Sequence, residues 1–308
     1  MSLYLITGGA GFIGSNLSEE LIRCGHRVRV FDNFSSGSEE NLKDILSDIE
    51  LINGDVRDKE AVEKAVKGVD FVLHQAAIAS VQASIRDPIQ SNEVILGGTL
   101  NVLCAARDSG VKRVVLASSA AVYGSSEILP KKENMCMQAL SPYAASKLAG
   151  ETYAGIFNKL YGLETVCLRY FNVFGPRQDP KSEYSGVISI FMYCIREGRA
   201  PIIYGDGEQT RDFIYVKNVV SANLLAIESE KVGHGEAINI AGGDRISLNN
   251  LVQILGKLVE RDIKPEYKAG RSGDIKHSQA DISLAKKLLG YEIKMGFEEG
   301  LEILFKLI

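Results

Sequence analysis

The chain has 308 residues, of which 45% are hydrophobic and 24% charged, and its formal net charge is −4. This length fits one large domain, or a large domain with a smaller one, and the composition is that of a globular protein with a substantial core. The slight negative charge disfavours nucleic acid as the main partner, because there is no basic excess to neutralise phosphates.

Several other classes of protein are disfavoured by the same sequence. Neither a signal peptide nor an 18-residue apolar run is apparent, so no membrane partner is expected. The histidines show no metal-binding spacing, and no metal site is predicted. The five cysteines are widely spread and form no C-x-x-C pair, which predicts reduced, mostly buried thiols in a cytoplasmic protein.

Short apolar runs alternate with helical patterns through the first half of the chain. The candidate strands are residues 3–7, 27–31, 50–53, 71–73, 113–117 and 165–169, and candidate helices lie at 16–24 and 60–66. Apolar runs of this kind are typical of parallel strands buried on both faces. Strand–helix units of this length predict an α/β fold with a doubly wound parallel (Rossmann) sheet.

The pattern changes after residue 172. Residues 175–215 are rich in proline and glycine and carry short elements, and a further helix is predicted at 248–260. A helix at 217–229 and a strand at 237–241 are expected to return to the large sheet. We therefore predict a large domain of residues 1–172, joined by 216–241, and a smaller interwoven domain made of 173–215 and 242–308.

A glycine-rich loop follows the first strand and opens the first helix. Gly8, Gly11 and Gly14 have the spacing G-x-x-G-x-x-G, with Phe12 and Ile13 between the last two. Glycines allow the backbone to approach a pyrophosphate, and the helix N-terminus offers free N–H groups to it. Alone, such a loop could be an ordinary turn.

An acidic residue at the end of the second strand strengthens this interpretation. Asp32 can accept both hydroxyls of an adenosine ribose and would repel a 2′-phosphate, and no Arg or Lys follows it before Lys43. The predicted cofactor is therefore NAD rather than NADP. Asp55 closes the third strand, where it could meet the adenine edge. The predicted cofactor site also includes Asn33, Val56 and Ala76.

Tyr143 and Lys147 are the predicted reactive pair. Ser141 and Pro142 suit the start of a helix, and residues four apart share one helix face. A nearby ammonium favours the phenolate, which can then remove a proton from an alcohol. Without the loop upstream, a surface Tyr and a solvated Lys would be the default reading. Ser119, at the carboxyl end of a strand, could bond the reacting oxygen or merely cap a turn.

The chain resembles the extended short-chain dehydrogenase/reductase family over nearly its whole length. The motifs are TGGAGFIG, GDVRD, HQAA, SSAAVYG, YAASK, RYFNVFGP, GDGEQTRDFIYV and RSGDIKHSQAD. Within the family it is most similar to UDP-sugar 4-epimerases, the UDP-glucose group and especially the UDP-N-acetylglucosamine group. Ala120 and Ala121 stand where related dehydratases and decarboxylases carry acidic residues, which fits an epimerase.

The resemblance implies a reaction and a set of site residues. Tyr143 would take the 4-OH proton while hydride passes from C4 to NAD and later returns to the other face of the 4-keto sugar. Lys147 would hold the nicotinamide ribose, and Ser119 would bridge the sugar oxygen and Tyr143. The implied contacts to diphosphate, sugar and uridine ribose are Asn172, Arg211, Arg271 and Asp274. These contacts would make the smaller domain the substrate-binding one.

Substrate size is expected to depend on Ser278, which aligns with a position beside the sugar's C2 substituent. A tyrosine there restricts related enzymes to plain hexoses, whereas a serine leaves room for an N-acetyl group. The predicted substrates are UDP-glucose, UDP-galactose and their N-acetyl counterparts. Two alternatives stay open: a UDP-glucuronate 4-epimerase or other branch of the family, and a non-catalytic NAD-binding regulator. The intact Ser119, Tyr143 and Lys147 argue against the regulator.

A homodimer is the predicted assembly, because related epimerases pair through two helices from each subunit. The counterparts here are residues 98–108 and 143–160, two segments rich in small and apolar residues. They include Leu100, Val102, Leu103, Ala105, Ala149, Ala154 and Ile156. The alternative is that these faces pack only on their own sheet.

Overall fold

The computed structural model describes residues 1–179, 186–270 and 275–307, and a seven-stranded parallel sheet forms its centre. Its strands are Leu3–Thr7 (β1), Arg27–Asp32 (β2), Ile49–Asn53 (β3), Phe71–His74 (β4), Arg113–Ser119 (β5), Glu164–Tyr170 (β6) and His234–Ile240 (β11). Short strands elsewhere form two-stranded pairs: Asn172–Phe174 (β7), Ile202–Tyr204 (β8), Thr210–Arg211 (β9), Phe213–Tyr215 (β10), Ile246–Ser247 (β12) and Glu266–Lys268 (β13).

The strand order confirms the predicted fold class. The sheet runs β11-β6-β5-β4-β1-β2-β3, so the chain winds outward from β1 in one direction and then from β4 in the other. The candidate strands of the first half are confirmed, and most extend one or two residues beyond the predicted ends. The winding reverses between β1 and β4. Open α/β sheets bind ligands at the carboxyl edge beside such a reversal.

Helices pack on both faces of the sheet and over the short strands. They are Phe12–Arg23 (α1), Lys59–Val66 (α2), Val81–Arg86 (α3), Pro88–Asn92 (α4), Gly98–Asp108 (α5), Pro142–Tyr161 (α6), Val187–Arg196 (α7), Val216–Glu228 (α8), Leu248–Leu258 (α9), Ser283–Leu289 (α10) and Phe297–Leu307 (α11). A π-helical turn at Glu93–Gly97 joins α4 to α5. The two helices therefore form one longer rod beside α6.

The start of α6 is fixed by the predicted local signals. The Ser141 side chain accepts a hydrogen bond from the Ala144 N–H at 3.1 Å, and Pro142 occupies the first turn. Gly162 ends the helix in the left-handed conformation, with φ of 71°. These ends fix which residues of α6 face the sheet.

Three hydrophobic clusters fill the interior. One lies on each face of the sheet, and β1 is buried along its whole length between them. The third cluster joins α7, α9 and α11 to β8 and β10. This third cluster supports the proposal that 173–215 and much of 242–308 form a smaller domain. Helix α10 instead joins the sheet cluster through Ala285 and Leu289, which moves part of the last segment onto the large domain.

Two further sequence expectations can be compared with the structure. All five cysteines are free, but only Cys167 is buried while Cys24 and Cys136 are exposed, so the expectation of mostly buried thiols is wrong. The apolar run around Cys167 belongs to a central strand, whereas the other cysteines lie in helices or loops. Within the described ranges, no helix has both the length and the hydropathy needed to cross a bilayer.

Candidate active site

The loop between β1 and α1 depends on glycine for steric reasons. A Cβ on Gly14 would lie 2.1 Å from the Gly8 carbonyl oxygen, and one on Gly8 would lie 2.8 Å from Ala76 Cα. Gly11 begins α1, and no side chain caps it. The first N–H groups of a helix have no acceptor within it, and at α1 these include Phe12 and Ile13. The loop thus presents backbone donors, as a pyrophosphate site requires.

Asp32 lies at the end of β2, buried beside this loop. Its two carboxylate oxygens accept backbone N–H groups from Ala10 at 2.9 Å and Phe34 at 2.8 Å. Burial raises the pKa of Asp32, and the backbone N–H groups oppose that shift. Each carboxylate oxygen retains a further lone pair that a ribose hydroxyl could use. These two acceptor oxygens therefore fit the hydroxyls of the adenosine ribose of NAD. Lys43, the first basic residue after Asp32, is exposed and pairs with Glu40.

The predicted adenine contact has partners of its own. Asp55 accepts hydrogen bonds from Asn33 Nδ2 at 2.8 Å and from the Arg57 guanidinium at 2.7 and 3.0 Å. The Arg57 guanidinium lowers the pKa of Asp55 to about 2, so this carboxylate stays ionised. Val56 is buried in the sheet cluster. Asp55 thus links Asn33, which follows β2, to Arg57, which follows β3.

Tyr143, Lys147 and Ser119 meet at the carboxyl edge of β5. Ser119 Oγ accepts a hydrogen bond from the Ala121 N–H at 3.2 Å, and the Ser119 hydroxyl also interacts with the Tyr143 phenol. The Lys147 Nζ donates to the Ala117 carbonyl at 2.6 Å and lies 5.9 Å from the centroid of the Tyr143 ring. The structure therefore brings together the three residues whose types and spacing predicted the reactive group.

The electrostatics of this group differ from the expectation. Burial raises the pKa of Tyr143, and only the hydrogen bond with Ser119 opposes the shift. Burial also lowers the pKa of Lys147 to about 8, although Cys167 and the carboxylate of Glu151 act in the opposite direction. The protein groups alone therefore do not depress the tyrosine pKa, contrary to the expectation from the Tyr–Lys spacing. A stable phenolate needs additional positive charge beside the ring.

A cleft of about 230 Å³ opens next to Ser119. It is lined by four residues predicted from the sequence, namely Ser119, Asn172, Arg211 and Ser278, and by Ala120 and Ala121. The Asn172 side chain donates to the Asp212 carbonyl at 3.1 Å, and Arg211 donates to the Thr210 carbonyl at 2.9 Å. Arg271 and Asp274, the other two predicted contacts, lie outside the described residues.

Sequence reasoning missed several lining residues of the cleft, among them Tyr123, His277 and Lys131. Tyr123 and His277 belong to the SSAAVYG and RSGDIKHSQAD motifs, so their neighbourhood was a usable signal. Lys131 carried none: it reaches the cleft because its backbone pairs with Ala280. Among the residues the structure describes, no three His, Cys, Asp or Glu side chains come together as a metal site.

Known proteins with similar sequences indicate the family to which this chain belongs. The model of the NAD dependent epimerase/dehydratase family matches residues 4–241. A putative UDP-glucose 4-epimerase of Methanocaldococcus jannaschii is 40% identical over 302 residues, which are 97% of this chain and 96% of that protein.

Two solved structures extend the similarity to three dimensions. The UDP-N-acetylglucosamine 4-epimerase of Methanobrevibacter ruminantium, in complex with UDP-N-acetylmuramic acid, has a TM-score of 0.94 and 42% identity, and the match covers 99% of this chain and 97% of that one. The UDP-glucose 4-epimerase of Thermus thermophilus, in complex with NAD, has a TM-score of 0.90 and 37% identity, with 99% and 98% covered. This chain therefore belongs to the NAD-dependent epimerase/dehydratase family, and it resembles the UDP-sugar 4-epimerases of that family over almost its whole length.

Proposed function

We propose that this protein is a UDP-hexose 4-epimerase, acting on UDP-glucose and UDP-galactose and on their N-acetyl counterparts. The observation that carries the proposal is the position of Ser119. It interacts with Tyr143 on one side and lines the cleft with Asn172, Arg211 and Ser278 on the other. A sugar in this cleft would have its reacting hydroxyl at the phenol.

The side chains have distinct roles in the proposed reaction. Tyr143 removes the proton from the 4-OH, and Ser119 holds the same oxygen. NAD, when bound, supplies a reversible acceptor for the C4 hydride and a positive charge beside the phenol. Lys147 orients the nicotinamide ribose. Arg211 binds the diphosphate, for which a planar guanidinium is suited. The position of Ala120 and Ala121 on the cleft wall supports a reaction without an additional acid.

The decisive experiment is a substrate panel. Purified protein is incubated separately with UDP-glucose, UDP-N-acetylglucosamine and UDP-glucuronate, and the C4 epimers are quantified by proton NMR at equilibrium. We expect the galactose and N-acetylgalactosamine products, with NAD copurifying. No epimer from any sugar would remove the proposal, and a product from UDP-glucuronate alone would replace it with the second candidate below.

The predicted effect of Ser278 is tested by Ser278→Tyr. Because the ring fills space on the cleft wall, we expect the ratio of kcat/KM for the N-acetyl sugar to that for the plain hexose to fall about tenfold or more. Ser283→Tyr, an exposed serine in α10, is the control and should leave the ratio unchanged. An unaltered ratio in Ser278→Tyr would end the gatekeeper role but not the epimerase proposal.

Lys131 favours UDP-glucuronate 4-epimerase as the second candidate. Its side chain is 3% exposed, lines the cleft and donates to the Ser126 carbonyl. Burial lowers the pKa of Lys131, because the ammonium has lost water. A carboxylate on the sugar would offset that cost. If this candidate holds, Lys131→Met should abolish turnover of UDP-glucuronate and spare UDP-glucose.

Location and assembly complete the proposal. The free cysteines fit a reducing compartment, and we propose that the enzyme works in the cytoplasm. We also propose a homodimer, for which the exposed apolar side chains are considered below.

A further inference from the structure

A buried ion pair lies directly behind the reactive group. Arg169 on β6 binds Glu151 on α6 through two hydrogen bonds, Nε to Oε1 at 2.9 Å and Nη2 to Oε2 at 2.7 Å. The two side chains are only 5% and 7% exposed. The pair continues into a polar chain, because Arg169 donates to the Tyr123 hydroxyl and Tyr123 donates to Asn239 at 2.6 Å.

The same carboxylate also holds the end of β5. Ser118 Oγ donates to Glu151 Oε1 at 2.5 Å. Ser118 is followed by Ser119, which interacts with the Tyr143 phenol. The Glu151 side chain thus helps to hold Ser119 in place through its hydrogen bond with the neighbouring Ser118.

Glu151 and Lys147 face a common cavity of about 10 Å³. Both lie on α6, four residues apart, so they are on one face of the helix. Arg169 does not line this cavity. The titratable groups around Lys147 are His74 on β4, Cys167 on β6, and Tyr143 and Glu151 on α6, with Arg169 beyond. The pKa of buried His74 is lowered to about 3, so it stays neutral. Burial raises the pKa of the Cys167 thiol well above its usual value, so the thiol stays uncharged near neutral pH. Glu151 is therefore the charged group that opposes the loss of the Lys147 proton.

We propose that Glu151 is a positioning residue of the reactive group: its carboxylate fixes the end of β5 through Ser118 and keeps Lys147 protonated near neutral pH. The ammonium that orients the cofactor then persists in a site where burial favours the neutral amine. The kinetic consequence of this inference rests on the proposed function, but the titration of Lys147 can be measured without turnover.

The same two strands supply a matched control. Arg113 begins β5 and Glu164 begins β6, and the two form an ion pair of 2.6 Å. This pair lies at the end of the two paired strands opposite to Ser118 and Arg169. Glu164→Gln therefore removes the carboxylate that pairs with Arg113, far from Lys147. Glu151→Gln removes the carboxylate that pairs with Arg169 and that lies beside Lys147.

The test is the titration of Lys147 in protein labelled with ¹³C at lysine Cε, with the signal assigned by its loss in Lys147→Met. The wild-type amine is expected to titrate at about pH 8. Glu151→Gln should lower that value by about one pH unit, as expected when a nearby opposite charge is removed. The alkaline limb of the kcat profile should move to lower pH with it, while KM for the UDP-sugar stays unchanged. Glu164→Gln should move neither.

An unchanged Lys147 titration in Glu151→Gln, or an equal shift in Glu164→Gln, would overturn the proposal. If Glu151→Gln fails to fold because Arg169 is left unpaired, the double variant Glu151→Gln/Arg169→Met removes both charges. Of the two paired side chains, only Glu151 lines the cavity, so the double variant should still lower the pH at which Lys147 titrates. The absence of such a shift in the double variant would also overturn the proposal. If wild-type protein epimerises no UDP-sugar, the proposed function fails while the NMR titration still decides the role of Glu151.

Discussion

Tyr143 and Lys147 illustrate how burial alters side chains whose spacing alone suggests simple acid–base behaviour. Burial raises the pKa of the phenol and lowers that of the amine to about 8, so both groups are shifted toward their neutral forms. In the proposed reaction, proton transfer from the sugar hydroxyl to Tyr143 would therefore depend on the charge brought by NAD and on Ser119.

Replacing Tyr143 by Phe removes the hydroxyl and keeps the ring. We expect kcat for epimerisation to fall by about 100-fold or more, because general acid–base catalysis contributes at least that much. NAD binding and the thermal unfolding midpoint should stay near wild type. Tyr153→Phe, on the same helix but 36% exposed, is the control and should be fully active. Turnover of Tyr143→Phe close to wild type would refute the proposed proton transfer.

Asp32 determines the expected preference for NAD. Asp32→Asn keeps one oxygen acceptor for the loop but loses the charge that bonds the ribose and repels a 2′-phosphate. We expect NAD binding to weaken by about 1.5–3 kcal/mol, so that the difference in affinity between NAD and NADP becomes smaller. Titration of both cofactors by fluorescence measures this, with the exposed Asp44→Asn as control. Equal affinity of the wild type for NAD and NADP would show that the assignment is wrong.

At the scale of elements, the β1–α1 junction has no room for one added methyl group. Gly14→Ala places a Cβ 2.1 Å from the Gly8 carbonyl oxygen, and backbone at that distance must move. We expect NAD binding to be lost and the free energy of unfolding to fall by about 1–3 kcal/mol, as in other overpacked sites. Gly296→Ala has no atom within 4 Å of the added Cβ and should change neither. Normal NAD affinity in Gly14→Ala would mean that this loop does not bind the pyrophosphate.

At the scale of the whole molecule, the structure changes which residues can form the predicted dimer contact. Residues 98–108 and 143–160 were expected to provide it, but Val102, Leu103, Ala105 and Ala154 are buried in the chain's own sheet cluster. Exposed apolar side chains remain on α6, at the predicted Ile156 and at Leu160, and others lie on α3 and α4, including Ile85 and Ile89. Since α4 continues into α5 through the π-helical turn, the rod that contains residues 98–108 can still contribute to the dimer contact through α4.

The dimer proposal is tested by Ile156→Asp. A charge in an apolar helix contact should dissociate the subunits, because the carboxylate would be buried without a partner. Ile293→Asp is the matched control, since Ile293 is 40% exposed against 39% for Ile156 and lies away from α6. Sedimentation velocity at micromolar concentration should give a dimer for the wild type and the control and a monomer for Ile156→Asp. A monomeric wild type would contradict the proposal.

The sequence by itself determined the local features of this protein. Apolar runs of strand length, glycines forced by close backbone approach, and Ser141 and Pro142 at the start of α6 act through neighbouring residues. They therefore predicted β1 to β6, the glycine-rich loop between β1 and α1, and the start of α6 at their observed places. The G-x-x-G-x-x-G loop and the Tyr–Lys spacing each imply a geometry that a single element can build.

Only the tertiary structure decided the features that depend on residues distant in sequence. Lys131 enters the cleft because it pairs with Ala280, and Glu151 meets Ser118 and Arg169 because α6 packs across β5 and β6. The direction of the Tyr143 pKa shift likewise depends on burial, which no spacing along the chain reports. Burial and charge pairing result from the packing of whole elements, and for that reason the sequence singled out Tyr143 and Lys147 but not the environment that sets their protonation.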